Sequence, residues 1–133
     1  MKKKIKAALR TPSDLSEKNR AKAIDALNPL IADAIALWLK TKNYHWHVSG
    51  PNFRDFHLML DEQAGEILAS VDPLAERVRK LGGTTITSIG HVGKLQRVKD
   101  EKEAFQPAQK MLLDLMEENK AMAANQLRHL LLH

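Results

Sequence analysis

Apolar residues recur at steps of three and four along most of the chain, and strand-like alternation is scarce. The first such run predicts a helix over about residues 16–48, with an inward stripe of Leu27, Ile31, Ala34, Trp38 and Thr41 that leads to His45. Ser16 with Asn19 nearby, or Asn28 followed by Pro29, could each start it. Asn28 as cap with Pro29 at the first helical position is the stronger signal, so the helix is expected to kink or restart at Pro29. Ser49, Gly50, Pro51 and Asn52 form a turn cluster. A second long helix is predicted over about residues 53–81, its seam Leu60, Ala64, Ile67, Val71, Leu74, Val78 and Leu81 alternating steps of four and three. Pro73 interrupts this run at a cost of about 3 kcal/mol, or else follows Asp72 as the first position of a new helix; the unbroken phase favours a kink. Gly82 and Gly83 end it. Residues 84–106 form a long connection holding one short helix at about 87–94. A third long helix covers about 107–131, with Leu112, Leu115, Met122 and Leu130 inward. Three long amphipathic helices and a short connecting one predict an all-α bundle.

A length of 133 residues suits one domain with one modest core, and 44% apolar with 28% charged residues is ordinary for a folded protein. The absence of cysteine excludes a disulfide scaffold, a thiolate metal site and a cysteine nucleophile. No run approaches the roughly 18 apolar residues needed to span a bilayer. The basic start resembles a signal-peptide n-region without the apolar segment that should follow, so a cytosolic location is expected. Net charge is +5, from 21 Lys and Arg against 16 Asp and Glu. Lys2, Lys3, Lys4, Lys6 and Arg10 account for all of it, since removing those five leaves 16 against 16. Residues 1–12 therefore read as a flexible basic arm, a candidate for attraction to phosphate or anionic lipid, and residues 13–133 as the helical domain. Many copies of the arm on one particle would bind DNA far better than one.

Helical phase sorts the ionisable residues. His45 lies seven residues after Trp38, about 20° from its direction, while His47 points about 180° away, both from about 100° per residue. Taking Leu60 as zero, His57 falls near about +60°, Asp61 near about +100°, Asp72 near about +120° and Glu76 near about +160°. His57 with Asp61 and Asp72 with Glu76 are each spaced four apart, so each pair can aim at one spot. Imidazole nitrogen with carboxylate oxygen suits iron, zinc or manganese; the alternative is a solvated flank with routine pairs such as Glu76 with Lys80. Asp61 and Asp72 are about 16 Å apart along one axis, too far to grip one ion at bonds of about 2 Å. Two copies of the helix, antiparallel about a two-fold axis near residues 66 and 67, would bring the pairs together. Gly65 and Ala69 would permit the close crossing. Each site would then hold His57 and Asp61 of one chain, Asp72 and Glu76 of the other, and His45 as a fifth ligand.

The stretch Lys42-Asn43-Tyr44-His45-Trp46-His47-Val48-Ser49-Gly50-Pro51-Asn52-Phe53, followed by His57-Leu58-Met59-Leu60-Asp61-Glu62-Gln63, Asp72-Pro73-Leu74-Ala75-Glu76-Arg77 and Leu81-Gly82-Gly83, resembles the signature of Dps proteins, the ferritin-like mini-ferritins that protect DNA in starved bacteria. The resemblance runs from about residue 19 to about 125. It implies a ferritin-like fold, a shell of twelve subunits, and ferroxidase centres at two-fold interfaces. There ferrous iron is oxidised, preferably by hydrogen peroxide, and stored as ferric mineral. His45, His57 and Asp61 would be ligands from one subunit, and Asp72 and Glu76 from its mate. Zinc would compete with iron for the site. Trp46 matches a tryptophan beside the family's site, where it is proposed to take up oxidising equivalents; interface packing is an equal reading. The lysines of the arm resemble a tail through which some members bind DNA. The family continues into a fourth helix that closes the bundle and supplies acidic residues to iron-entry pores, and this chain stops at Leu130-Leu131-Leu132-His133. The expectation is an iron-oxidising, DNA-protecting homo-oligomer of the cytosol and nucleoid. The alternatives are a nucleoid-binding protein without enzymatic activity, or an inactive truncated fragment.

Overall fold

A computed structural model describes residues 15–132, all of whose regular elements are helices. The basic arm, with Lys2, Lys3, Lys4, Lys6 and Arg10, lies outside the described residues. Helix α1 spans Glu17–His47, α2 Phe53–Ala69, α3 Val71–Lys80, α4 Ile89–Leu95 and α5 Ala108–Leu132.

Ser16 starts α1: its backbone is extended and its hydroxyl accepts the Asn19 N–H at 3.2 Å. The expected start at Asn28 and Pro29 is not used, and Pro29 sits inside a continuous helix. The carbonyl that Pro29 leaves without a donor belongs to Asp25, an exposed position open to water. Asn28 caps nothing; its side chain donates to the Thr84 carbonyl at 3.0 Å and accepts the Thr85 hydroxyl at 2.9 Å, tying α1 to the chain that leaves α3.

The second long helix is interrupted at Ser70 rather than running unbroken to residue 81. Pro73 has no N–H to offer the Ala69 carbonyl, so the ladder opens there. Ser70 keeps a helical backbone and donates its N–H to the Ile67 carbonyl at 3.1 Å, while its hydroxyl donates to the same oxygen at 2.6 Å. The seam survives the break, with Leu60, Ala64, Val78 and Leu81 buried. α3 ends in a Schellman motif. The Gly83 N–H reaches the Val78 carbonyl at 3.1 Å and the Gly82 N–H the Arg79 carbonyl at 3.0 Å, with Gly82 in the left-handed region at φ +86°.

α1 is the central element. Leu27, Ile31 and Ala23 pack with Val78 and Leu81 at one end, and Leu37, Tyr44 and Val48 with Leu60, Met111 and Leu115 at the other. Trp38, placed on the inward stripe by phase, is only half-buried, and Leu130 is 74% exposed rather than inward. Two polar groups bury against α1 as well. Asp33 accepts the Arg97 N–H at 2.6 Å and its Nε and Nη2 at 3.0 and 2.6 Å, pinning the connection after α4. Lys40, 6% exposed, is 2.9 Å from Asp114 and 2.8 Å from Glu118 on α5, and the Tyr44 hydroxyl donates to Asp114.

Candidate metal centre

The end of α1 and the start of α2 are joined by residues 48–52. Asn52 adopts a left-handed conformation (φ +62°) there, which turns α2 back along α1. This places His45, on the buried face of α1, against His57 in the second turn of α2. Their rings stack with centroids 3.8 Å apart and planes inclined by 19°. The two histidines exchange hydrogen bonds reciprocally: His45 Nδ1 lies 2.6 Å from the His57 carbonyl and His57 Nδ1 2.8 Å from the His45 carbonyl. A carbonyl only accepts, so both Nδ1 atoms carry the proton, and in the neutral rings both lone pairs sit on Nε2. This is how a second contact usually orients a metal-binding imidazole.

Asp61, one turn after His57, stands 3.9 Å from His45 Nε2. The Lys42 ammonium, bonded to the same Asp61 oxygen at 2.5 Å, holds that carboxyl below the usual carboxylate range, and the two histidines add to the effect. Lys42 precedes His45 by three residues and so projects from the same side of α1. Phe53 stacks on the outer side of His57 at 5.1 Å. Trp46 is 57% exposed beside this group, and Phe53 and Leu58 are exposed as well. The result is a small polar cluster near the exposed side chains of Trp46, Phe53 and Leu58.

Asp72 and Glu76 sit one turn apart on exposed positions of α3, beyond the Ser70 break. They do not meet His45, His57 or Asp61 within the chain. Among the described residues, no group of three or more histidine or acidic side chains is placed to hold a metal ion by itself. His47 is not part of this cluster, its Nδ1 bonding the Asn43 carbonyl at 2.8 Å. Reasoning restricted to metal-ligating residue types misses Lys42 and Phe53. Their spacing, three before His45 and four before His57, is a usable signal for both.

The model of the ferritin-like domain matches residues 24–130. The chain is 35% identical over 104 residues to DNA protection during starvation protein 1 of Deinococcus radiodurans, covering 78% of this chain and 50% of that protein. It is 32% identical over 99 residues to the DNA protection during starvation protein of Helicobacter pylori, covering 74% of this chain and 69% of that protein. The chain belongs to the Dps family. Among solved structures, DpsC from Streptomyces coelicolor superposes with a TM-score of 0.85 at 31% identity, covering 90% of this chain and 70% of that one. The chain spans about half the length of the Deinococcus protein and under two thirds of other relatives it matches. No helix among the described residues is long and apolar enough to cross a membrane.

Proposed function

We propose that this protein oxidises ferrous iron, with hydrogen peroxide as the oxidant, at sites shared between two antiparallel copies of α2 and α3. We further propose that it stores the ferric product and so protects DNA. One observation carries this reading: the reciprocal bonding of His45 and His57, which leaves an Nε2 lone pair on each ring beside an Asp61 kept ionised. Asp72 and Glu76 of a second chain complete the ligand set, and the bare Trp46, Phe53 and Leu58 are the surface such a contact would cover. Gly65, where an added Cβ would meet only open space, permits the close crossing. Carboxylates favour the ferric product over the ferrous reactant because their attraction grows with ionic charge. Two ferrous ions reduce one peroxide to water, which removes both reagents of hydroxyl-radical formation. Zinc, with a preference for the same donors, competes.

The relatives' names support DNA protection, and Lys2, Lys3, Lys4, Lys6 and Arg10 are the residues proposed to hold DNA without sequence preference. A twelve-subunit shell and a place in the nucleoid follow from the same family reading.

Anaerobic titration with ferrous iron, followed by peroxide, tests the enzyme. The double change His57→Ala with Asp61→Ala abolishes rapid oxidation while the helical circular dichroism is retained; unchanged oxidation kinetics would refute the site. Removing residues 1–10 weakens salt-sensitive DNA retention and leaves oxidation intact. Loss of oxidation with DNA retention untouched would instead favour a reading in which the arm serves the iron site.

A further inference from the structure

α3 carries an open groove beside one of the proposed ligands. Ala75, Glu76, Arg79 and Lys80, with Thr85 after the helix, line a cavity of about 340 Å³. Its surface is almost wholly apolar although three of its residues are charged, so the stems of Glu76, Arg79 and Lys80 face it rather than their charged ends. The Arg79 guanidinium is held by the Gly83 carbonyl at 2.7 Å. An apolar surface flanked by two cations suits an aromatic ring, which buries area there and turns its negative face to them. With Leu60 at zero, Ala75 falls near about +60°, Arg79 near about +100° and Glu76 near about +160°. This is the arc of His57 and Asp61, and Ser70 keeps a helical backbone where α2 passes into α3. The groove therefore opens on the flank that carries the proposed ligands.

Phe53 has the geometry to fill it. The residue lies one turn before His57, its ring stacks on that imidazole with centroids 5.1 Å apart, and it is 45% exposed. In a site shared by antiparallel copies of α2 and α3, His57 of one chain faces Glu76 of the other. The helices run in opposite directions, so the position one turn before His57 lies alongside the position one turn after Glu76, which is Lys80. Bonds of about 2 Å from both residues to one ion hold that register to well within a helical turn of about 5.4 Å. The ring that stacks on His57 then arrives over Ala75, Arg79 and Lys80.

We infer that Phe53 of each chain seats in the groove of Ala75, Arg79 and Lys80 on a second copy, as the apolar anchor of the shared iron site. The inference rests on the shared-site reading and adds to it the contact that holds the two half-sites together before any metal binds. A two-fold pair makes this contact twice, once beside each site. The same ring covers one face of the His57 imidazole, so the anchor and the metal-binding histidine are placed by a single contact.

Light scattering of the full chain in the presence of a chelator, at matched concentration, is the test, with helical circular dichroism as the check on folding. Phe53→Lys sets an ammonium against Arg79 and Lys80 and lowers the mass at least twofold. Adding Lys80→Glu to Phe53→Lys gives the new cation an acidic partner and restores the parent mass. Ala75→Trp fills the groove from its own side, leaves Phe53, His57 and Asp61 in place, and also lowers the mass at least twofold. Parent mass in either Phe53→Lys or Ala75→Trp overturns the anchor, and so does a failure of Lys80→Glu to restore it. Peroxide-driven oxidation of ferrous iron separates the anchor from the reading beneath it. A parent that oxidises iron while both variants keep its mass leaves the shared site standing and removes the anchor. Variants that dissociate as expected, from a parent that does not oxidise iron, leave the anchor standing and remove the iron reading. A monomeric parent overturns both.

Discussion

Replacing Lys40 by methionine should cost about 3 kcal/mol of stability, and the size follows from what the ammonium holds apart. Lys40 Nζ lies 2.9 Å from an Asp114 oxygen and 2.8 Å from a Glu118 oxygen, so those oxygens are at most 5.7 Å apart, the sum of the two distances. Glu118 is held in place by the Lys99 N–H at 2.8 Å and Asp114 by the Tyr44 hydroxyl, so neither swings away freely. Methionine preserves the packing of the aliphatic stem but leaves two carboxylates facing each other. At an effective dielectric constant of about 20, unit charges at that separation repel by about 3 kcal/mol. Two charge-assisted hydrogen bonds are lost as well, and partial hydration of both carboxylates offsets part of the total. Chemical denaturation in urea at one protein concentration is the assay, since oligomers make the midpoint concentration-dependent. With a slope of about 1.5 kcal/mol per molar, the midpoint falls by about 2 M. Adding Glu118→Gln to Lys40→Met should restore at least about 1 kcal/mol, whereas the same change in the parent protein is destabilising. A Lys40→Met midpoint within about 0.5 M of the parent, or a Glu118→Gln effect of the same sign and size in both backgrounds, would refute this electrostatic account.

The same cluster sets a pH window. Burial works against the charged form of Asp114, but the bonds from Tyr44 and Lys40 prevail and hold its carboxyl below the usual range; its contribution is present above the unfolded value of about 3.9 and is lost as pH falls through the folded one. Burial and the Asp114 bond push the Tyr44 hydroxyl up, and Lys40 is raised by Glu118 and Asp114 against the opposing effect of burial; both contributions are complete below about pH 10 and are lost as pH rises. The urea midpoint should therefore be flat between about pH 5 and 9 and fall on both sides, and Lys40→Met should lessen the acid-side fall; an acid limb identical in both proteins would contradict it. Gly83→Ala places a methyl 2.4 Å from Ile24 Cδ1 and 2.9 Å from its Cγ1, an overlap that should cost about 1–3 kcal/mol, with Ile24→Val in the same chain recovering part of it in thermal melts. Lys42→Gln removes a cation from the Asp61 oxygen that iron would use, so anaerobic ferrous affinity should rise roughly threefold to tenfold; equal or weaker binding would mean that Lys42 helps to hold the site.

What can be read along the chain is whatever local helical geometry decides. His45 belongs to the buried face of α1 because it lies two turns beyond Trp38, and its meeting with His57 needs only the short turn at residues 48–52. The Gly82 and Gly83 stop is legible for the same reason, since the Schellman bonds span only five residues. Asn28 with Pro29 misleads because a stronger, distant claim exists on the Asn28 side chain: Thr84 and Thr85, 56 and 57 residues away. Lys40 cannot be recognised as a buried cation, since its acidic partners lie 74 and 78 positions further on.

Leu130 shows most plainly where periodicity stops being informative. It lies 18 residues after Leu112, five full turns, so the two point in the same direction from α5. Leu112 packs against the cluster of Leu37, Tyr44 and Leu60, whereas Leu130 is 74% exposed. The two share a phase, yet one meets a neighbouring helix and the other meets none among the described residues. Burial belongs to a pair of surfaces, and a repeat along one helix specifies only its own half.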